Sequence, residues 1–174
     1  MEKKQKLLNR LRYLWTGELF ASFFLPAVVA FEARILDQPM GLLSIYSAAL
    51  VAWLLWQGAA YWRLKLQAVR RDSAVAARHL RWFAALKRIN WALIGLLPVL
   101  AATRALAGAG FRSSLDVVAG LGFYTLALLE QVNYYHYQLM YDYAPDWRYL
   151  LEHRRLKRSS LSRALLALGE ERRA

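Results

Sequence analysis

The sequence predicts an all-α polytopic membrane protein whose core is an antiparallel bundle of four transmembrane helices. Two observations lead to this prediction. Hydrophobic residues make up 58% of the 174-residue chain, and they are gathered into four runs of membrane-spanning length. In addition, the basic residues are distributed very unequally among the segments that connect these runs.

The four predicted spans cover approximately residues 14–36, 41–62, 89–108 and 115–137. A helix of about 20 residues crosses the roughly 30 Å of hydrocarbon in a bilayer. The connections LDQPMG and AGFRSS are short, so the first and second helices, and likewise the third and fourth, are predicted to run antiparallel. Small residues such as Gly120 and Gly122 favour a close approach of helices 3 and 4.

The charge distribution predicts the orientation of the bundle. The net charge is +12, and of 24 Lys and Arg residues only Arg34, Arg104 and Arg112 lie at or near the non-cytoplasmic side. Cytoplasmic segments carry the excess of basic residues, so both termini are predicted to be cytoplasmic in an inner membrane. This topology accounts for the charge, and no nucleic-acid partner is predicted. The expected partners are anionic inner-leaflet lipids, and a homodimer or a second membrane protein.

Two segments are predicted to lie in the cytoplasm beyond the spans. Within the transmembrane domain, residues 1–142, helices 2 and 3 extend into a hairpin of residues 63–88 and turn near residues 71–74. The second segment, residues 143–174, forms a basic amphipathic helical tail.

Helix boundaries in these segments follow from a proline and three serines. Pro145 is predicted to break the helix after the fourth span. Ser73 is expected to cap the start of helix 3, and Ser159 or Ser160 to cap the second part of the tail. Pro98 lies inside helix 3 and frees the carbonyl of Ile94, one turn earlier.

Polar residues within the spans predict which faces point into the bundle, because charged groups in hydrocarbon rarely face lipid. In three of the spans, polar residues recur about four helical turns apart on one face. Alternating helix direction then sorts the polar residues into an inner, cytoplasmic-side layer and an outer layer. The inner layer contains Glu18, Gln57, Asn90 and Glu130. The outer layer contains Glu32, Tyr46, Arg104 and Asp116, with Arg104 expected to pair with Glu32 or Asp116.

The stretch LEQVNYYHYQLMYD extends the inner layer along helix 4. Helical phase places Asn133, Tyr134 and Tyr137 on the face of Glu130, and His136 to one side near Asn133. By the same phase, Tyr135 and Leu139 point towards lipid or the interface. The candidates for binding a ligand or ion are therefore Glu18, Gln57, Asn90, Glu130, Asn133, Tyr134, Tyr137 and His136.

The residue inventory excludes several kinds of chemistry. The chain has no cysteine, so thiolate metal sites, iron–sulfur clusters and disulfide exchange are excluded. A bis-histidine haem would need axial ligands from two sites in the bundle, and only His136 lies in a span. No cofactor and no catalytic residue is predicted. A single metal ion held by Glu18, Glu130 and His136 stays open as an alternative.

Five motifs resemble an uncharacterised bacterial four-span family that is sometimes labelled general stress protein. They are LWTGELF, LWQGAAYWRLKL, LKRINWALI, LEQVNYYHYQLMYD and YLLEHRRLKRSSLSR. The resemblance implies a bacterial inner-membrane protein, and it implies no particular activity or site.

Three functions are compatible with this pattern. The sequence favours a non-catalytic membrane protein that binds a ligand, lipid or protein through the inner layer and the basic cytoplasmic face. The second is a proton- or cation-coupled transporter or channel that uses Glu18 and Glu130. The third is a membrane-embedded lipid-modifying enzyme with the same two carboxyl groups as acid and base.

Overall fold

The computed structural model describes residues 2–141 and 144–170, and this part of the chain is all-helical. It contains six helices. They are α1 (Glu2–Ile35), α2 (Leu42–Arg70), α3 (Ala77–Leu106), α4 (Ser114–Tyr135), α5 (Ala144–His153) and α6 (Ser160–Glu170).

Four of these helices, α1 to α4, are long and apolar enough to cross a membrane, which confirms the four predicted apolar helices. α2 and α3 continue well beyond the predicted spans, and the chain turns between them at residues 71–76. Both helices are therefore longer than their apolar spans, and their extension into the cytoplasm stays a prediction. The predicted cap at Ser73 is wrong, because α3 begins later and the Ser73 hydroxyl donates to the Ala68 carbonyl at the end of α2.

α2 is the central helix, and it packs against both α1 and α4 along its length. Lys4 at the start of α1 bonds to Asp72 just after α2. The core around α2 consists of apolar side chains from α2, α3 and α4. Its buried members are Ala48, Leu50, Val51, Leu54, Leu55, Ile94, Phe123 and Ala127.

Two close contacts fix α4 against its neighbours. A Cβ atom on Gly120 would lie 2.5 Å from Cγ of Leu43, so glycine lets α4 approach α2 closely. The predicted close approach through this residue therefore involves α2 rather than α3. The hydroxyl of Tyr124 donates to the Ile94 carbonyl over 3.3 Å. This is the carbonyl that Pro98 leaves without its helical partner.

The chain after α4 folds back onto the bundle. α4 ends at Tyr135, and the backbone then bonds to the segment before α6: the Gln138 N–H donates to Lys157 O (2.8 Å) and the Ser159 N–H to His136 O (3.2 Å). α6 packs against α3 and α4. The prediction that Pro145 ends the fourth helix is wrong. It is the second residue of α5, in the first turn, where proline is tolerated.

The predicted cap of the tail is confirmed at one of its two serines. Ser159 precedes α6, and its hydroxyl oxygen accepts the Ser162 N–H over 3.1 Å. The Ser159 hydroxyl itself donates to the carbonyl of Tyr134. This bond ties the start of α6 to the end of α4.

Candidate functional site

The inner polar residues form two separate clusters, rather than the single layer that the sequence predicts. The first cluster is an amide network between α2, α3 and α4. Asn90 is fully buried, and its Nδ2 donates to Gln57 Oε1 (3.0 Å) and to Gln131 Oε1 (3.1 Å). Its Oδ1 accepts from Gln57 Nε2 (3.0 Å) and Trp53 Nε1 (3.1 Å). The network is closed by the Tyr135 hydroxyl, which donates to Gln57 Oε1 over 2.8 Å.

The amide network has the geometry of a structural staple. Its hydrogen bonds link three helices, and none of the amide atoms of Asn90 is left without a partner. Interhelical amide bonds of this kind hold membrane bundles together. Gln57 and Asn90 are therefore placed in the core, apart from the two glutamates with which the sequence grouped them.

The second cluster, which we call the Glu18 site, consists of Glu18, Tyr134, Glu130 and Asn133. One oxygen of Glu18, Oε1, accepts the Trp62 indole N–H over 2.7 Å. The other oxygen, Oε2, and the hydroxyl of the buried Tyr134 lie close together and have no hydrogen-bond partner outside this pair within the described residues. Buried polar groups are normally hydrogen-bonded, so these two atoms mark the site as unusual.

Gly58 on α2 makes the Glu18 site sterically feasible. A Cβ atom on Gly58 would lie 2.0 Å from Glu18 Oε2 and 2.3 Å from the Tyr134 hydroxyl oxygen. Only a residue without a side chain leaves room for both groups. The carboxyl group of α1 and the phenol of α4 therefore meet above the backbone of α2.

Glu130 and Asn133 complete the site on α4. Asn133 Nδ2 donates to Glu130 Oε2 over 3.2 Å, and Asn133 Oδ1 accepts the Leu139 N–H over 2.9 Å. Asn133 thus orients Glu130 and also holds the chain where it leaves the helix. Within the described residues, neither Glu18 nor Glu130 forms an ion pair with a basic side chain.

Glu18 and Tyr134 lie at one end of a cavity of about 260 Å³, which we call the Glu18 cavity. It is lined by α1, α2, the end of α4, α5 and the start of α6, together with the segments on either side of α5. Its polar lining beyond the Glu18 site includes Arg10, Tyr61, Lys65, Asp146, Lys157, Ser160 and Arg163. The cavity thus has a carboxyl group at one end and four basic residues towards the other.

Hydrogen bonds arrange the basic end of the cavity. Lys157 and Arg10 both contact Asp146, at 3.2 and 3.3 Å. Burial of Asp146 opposes its ionisation, but the Lys157 hydrogen bond and the charges of Lys157 and Arg10 outweigh it and lower the pKa of this carboxyl group. The Lys65 ammonium donates to the Ser160 hydroxyl and lies 5.5 Å from the ring centroid of Trp62.

A second opening, the lateral cleft, adjoins the cavity on the side where α1 faces α4. Its volume is about 680 Å³, and Leu14, Glu18, Asn133 and Met140 line both spaces. The remaining lining of the cleft is mostly apolar and includes Ala21, Leu55, Leu126 and Leu129. The Glu18 site therefore lies between a basic cavity and an apolar cleft.

His136 and Tyr137 are not brought to Glu130, because α4 ends before them and helical phase no longer applies. His136 packs edge-on against Trp91 with ring centroids 6.1 Å apart. Both residues line a different surface cleft, together with Lys87, Arg88 and Arg158. Tyr137 is half-exposed and forms an isolated backbone bridge with Arg158.

The outer residues do not form the expected ion pairs. Within the described residues, no salt bridge joins Arg104 to Glu32 or Asp116, and the first two are exposed. Asp116 instead caps α2. Its Oδ1 accepts the N–H groups of Gly41 (3.0 Å) and Ser44 (2.9 Å) and the Ser44 hydroxyl (2.8 Å). A capping carboxylate has its charge balanced by the helix N-terminus, so no arginine is needed.

Tyr46, also assigned to the outer layer, donates its hydroxyl hydrogen to the Leu93 carbonyl over 2.8 Å. It therefore links α2 to α3. The open metal alternative gains no support from the geometry, since residues 2–141 and 144–170 contain no group of three His, Asp or Glu side chains that could hold an ion.

Sequence reasoning missed four residues at the two clusters, Trp53, Gly58, Trp62 and Gln131, and misplaced a fifth, Tyr135. Gln131 is fully buried in the amide network, although the sequence shows it directly beside Glu130. Gly58 and Trp62 lie within one turn of Gln57, and only the neighbouring helices reveal their roles. Tyr135, predicted to face lipid, is buried; the phase of Gln131, four residues earlier, could have indicated this.

Comparison of the chain with family models, curated proteins and solved structures finds no match. The resemblance to the bacterial four-span family stays a prediction.

Proposed function

We propose that the chain is an integral protein of the bacterial inner membrane that binds an amphiphilic ligand in the Glu18 cavity and lateral cleft. In this proposal α1 to α4 form an antiparallel bundle with both termini in the cytoplasm. The four long apolar helices and the positive-inside charge distribution support insertion and orientation. Exposed phenylalanines on α1, such as Phe20, Phe23 and Phe31, are typical of a lipid-facing surface.

The single observation that carries the proposal is the pair of buried oxygens of Glu18 and Tyr134, which lie close together and have no hydrogen-bond partner outside this pair among the described residues. Burying either oxygen without a hydrogen bond destabilises the folded protein. Both border a cavity that opens towards apolar surface on one side and basic surface on the other. A ligand with a polar end and an apolar end matches this combination.

A second candidate, proton- or cation-coupled transport, is favoured by one observation. Glu18 and Glu130 lie on either side of the lateral cleft, and neither has a basic partner among the described residues. Paired acidic groups within a membrane commonly mark ion pathways. Flux of protons or cations into proteoliposomes that depends on both carboxyl groups would distinguish this function from ligand binding.

The binding proposal is tested by removing one hydroxyl group. Tyr134→Phe keeps the ring in place and deletes the buried oxygen, and Tyr137→Phe is the matched control outside both spaces. We expect Tyr134→Phe to retain fewer lipid or other amphiphile molecules after detergent purification, as measured by native mass spectrometry. Equal retention by wild type and both variants, with all three folded, would contradict the proposal.

A further inference from the structure

We propose that the Glu18 cavity is a site for one anionic phospholipid, with its phosphate at the basic end and an acyl chain in the lateral cleft. The inference rests on the proposed function and names the ligand class for the same site.

The charge of the cavity selects an anion. Four basic side chains and two carboxyl groups line it. Asp146 forms salt bridges with Arg10 and Lys157. Within the described residues, Lys65 and Arg163 have no carboxylate partner. Two basic groups are therefore left to balance a ligand's negative charge.

The basic end also presents hydrogen-bond donors that suit a phosphate group. Ser160 begins α6, and its hydroxyl contacts Lys65 and the Tyr61 hydroxyl. Ser159, Ser160 and Leu161 place the N-terminus of α6 in the cavity wall. A helix N-terminus favours negative charge, and here it reinforces the basic side chains rather than acting alone.

The lining changes from basic to apolar in the same direction along two helices. On α1, the order is Arg10, then Glu18, then Ala21. On α2, it is Lys65, then Leu55. Arg10 and Glu18 are eight residues apart, about 12 Å along a helix. This gradient matches a phospholipid, whose phosphate lies at the membrane surface and whose chains extend inwards.

The Glu18 site lies where the linker between phosphate and acyl chains would be. The Tyr134 hydroxyl and Glu18 Oε2 can donate to or accept from ester and hydroxyl oxygens at that level. Beyond them, Leu126 and Leu129 provide an apolar wall for a chain. Basic pockets between transmembrane helices on the cytoplasmic side are known to bind anionic headgroups.

The test uses the full-length protein, delipidated in detergent and supplied in turn with phosphatidic acid, phosphatidylglycerol and phosphatidylcholine that carry identical acyl chains. Inorganic phosphate is a fourth probe, because it offers the headgroup chemistry without the chain. Binding is measured by native mass spectrometry as the bound fraction at each concentration. We expect both anionic lipids to bind at least about tenfold more tightly than phosphatidylcholine.

The variants isolate the headgroup contacts. Lys65→Gln/Arg163→Gln removes the two basic residues without carboxylate partners, whereas Arg78→Gln/Arg81→Gln removes equal charge from exposed positions of α3 that line neither space. We expect the first double variant to lose the preference for anionic lipids and the second to keep it. A loss of the preference in both would show a general charge effect and overturn the inference.

The remaining outcomes separate the two proposals. Equal binding of all three lipids, unchanged by Lys65→Gln/Arg163→Gln but weakened by Tyr134→Phe, would overturn the phosphate inference and leave ligand binding in place. Inorganic phosphate that binds as tightly as phosphatidic acid would overturn the lipid assignment in favour of a soluble anion. No retained lipid of any class would overturn both proposals.

Discussion

The Trp62 indole donates to Oε1 of Glu18 over 2.7 Å, while Oε2 of the same carboxyl group has no hydrogen-bond partner beyond the nearby Tyr134 hydroxyl among the described residues. One oxygen is thus fixed by the Trp62 indole, and the other lies beside the Tyr134 hydroxyl in the wall of the cavity. This asymmetry distinguishes the Glu18 site from the amide network around Asn90, where all the amide atoms of Asn90 are bonded.

Asn90→Ala should destabilise the bundle without emptying the cavity. The change leaves the amide groups of Gln57 and Gln131 buried with fewer partners, which costs about 1–3 kcal/mol. Thermal unfolding in detergent measures the loss, with Thr103→Ala as the control on an exposed part of α3. If Asn90→Ala instead abolished lipid retention at unchanged stability, the amide network would belong to the binding site.

Asp116→Ala should destabilise the protein, whereas Arg104→Ala and Glu32→Ala should have almost no effect. Removing the carboxylate leaves three donors at the start of α2 without their acceptor, and loss of a cap costs about 0.5–2 kcal/mol. Chemical or thermal unfolding of the three variants checks this. A loss of stability in Arg104→Ala as large as that in Asp116→Ala would restore the ion-pair interpretation of the outer layer.

Gly120→Ala should destabilise the bundle much more than Gly122→Ala, two residues further along α4. The new Cβ at Gly120 would lie 3.0 Å from the backbone carbonyl carbon of Leu43, so α2 and α4 must move apart. Overpacking of this kind costs about 1–3 kcal/mol. The site at Gly122 is open, and alanine there favours the helix. Equal unfolding temperatures for the two variants would show that the α2–α4 contact is not tight.

Acidification should release the contacts of α5 below about pH 3.8. The pKa of Asp146 is lower in the folded protein than its ordinary value of 3.8. The stabilisation from Arg10 and Lys157 is therefore complete above that value and is lost as the pH falls through the lowered folded pKa. Hydrogen–deuterium exchange of α5, corrected for intrinsic rates, should rise in this window. Asp146→Asn should show no such rise in exchange. A rise of equal size in that variant would assign the change to other groups.

The sequence predicted the helices well and the neighbours of each helix poorly. Four apolar runs follow from hydrophobicity and length, which are local properties. Helical phase groups Glu130, Asn133 and Tyr134, and all three lie within α4. It did not bring Tyr137 to them, because α4 ends at Tyr135, before that residue.

The division of the inner layer into two clusters was not predictable from one sequence. Depth in the membrane follows from position along a helix, so Glu18, Gln57, Asn90 and Glu130 were assigned a common level. Which helices touch at that level depends on packing, and here α2 lies centrally, with α1 and α4 packed along it. Gly58 could not be identified from the sequence for the same reason, because its role depends on side chains that approach it from two other helices.

The most direct test of the central claim is to fill the Glu18 cavity from its glycine side. In Gly58→Ala, the new methyl group must displace the ends of the Glu18 and Tyr134 side chains, which line the cavity. Gly95→Ala on α3 adds the same methyl group in open space. Native mass spectrometry of the two purified, folded variants should show bound anionic lipid lost from Gly58→Ala and kept by Gly95→Ala. Equal lipid retention by both would contradict a ligand in this cavity.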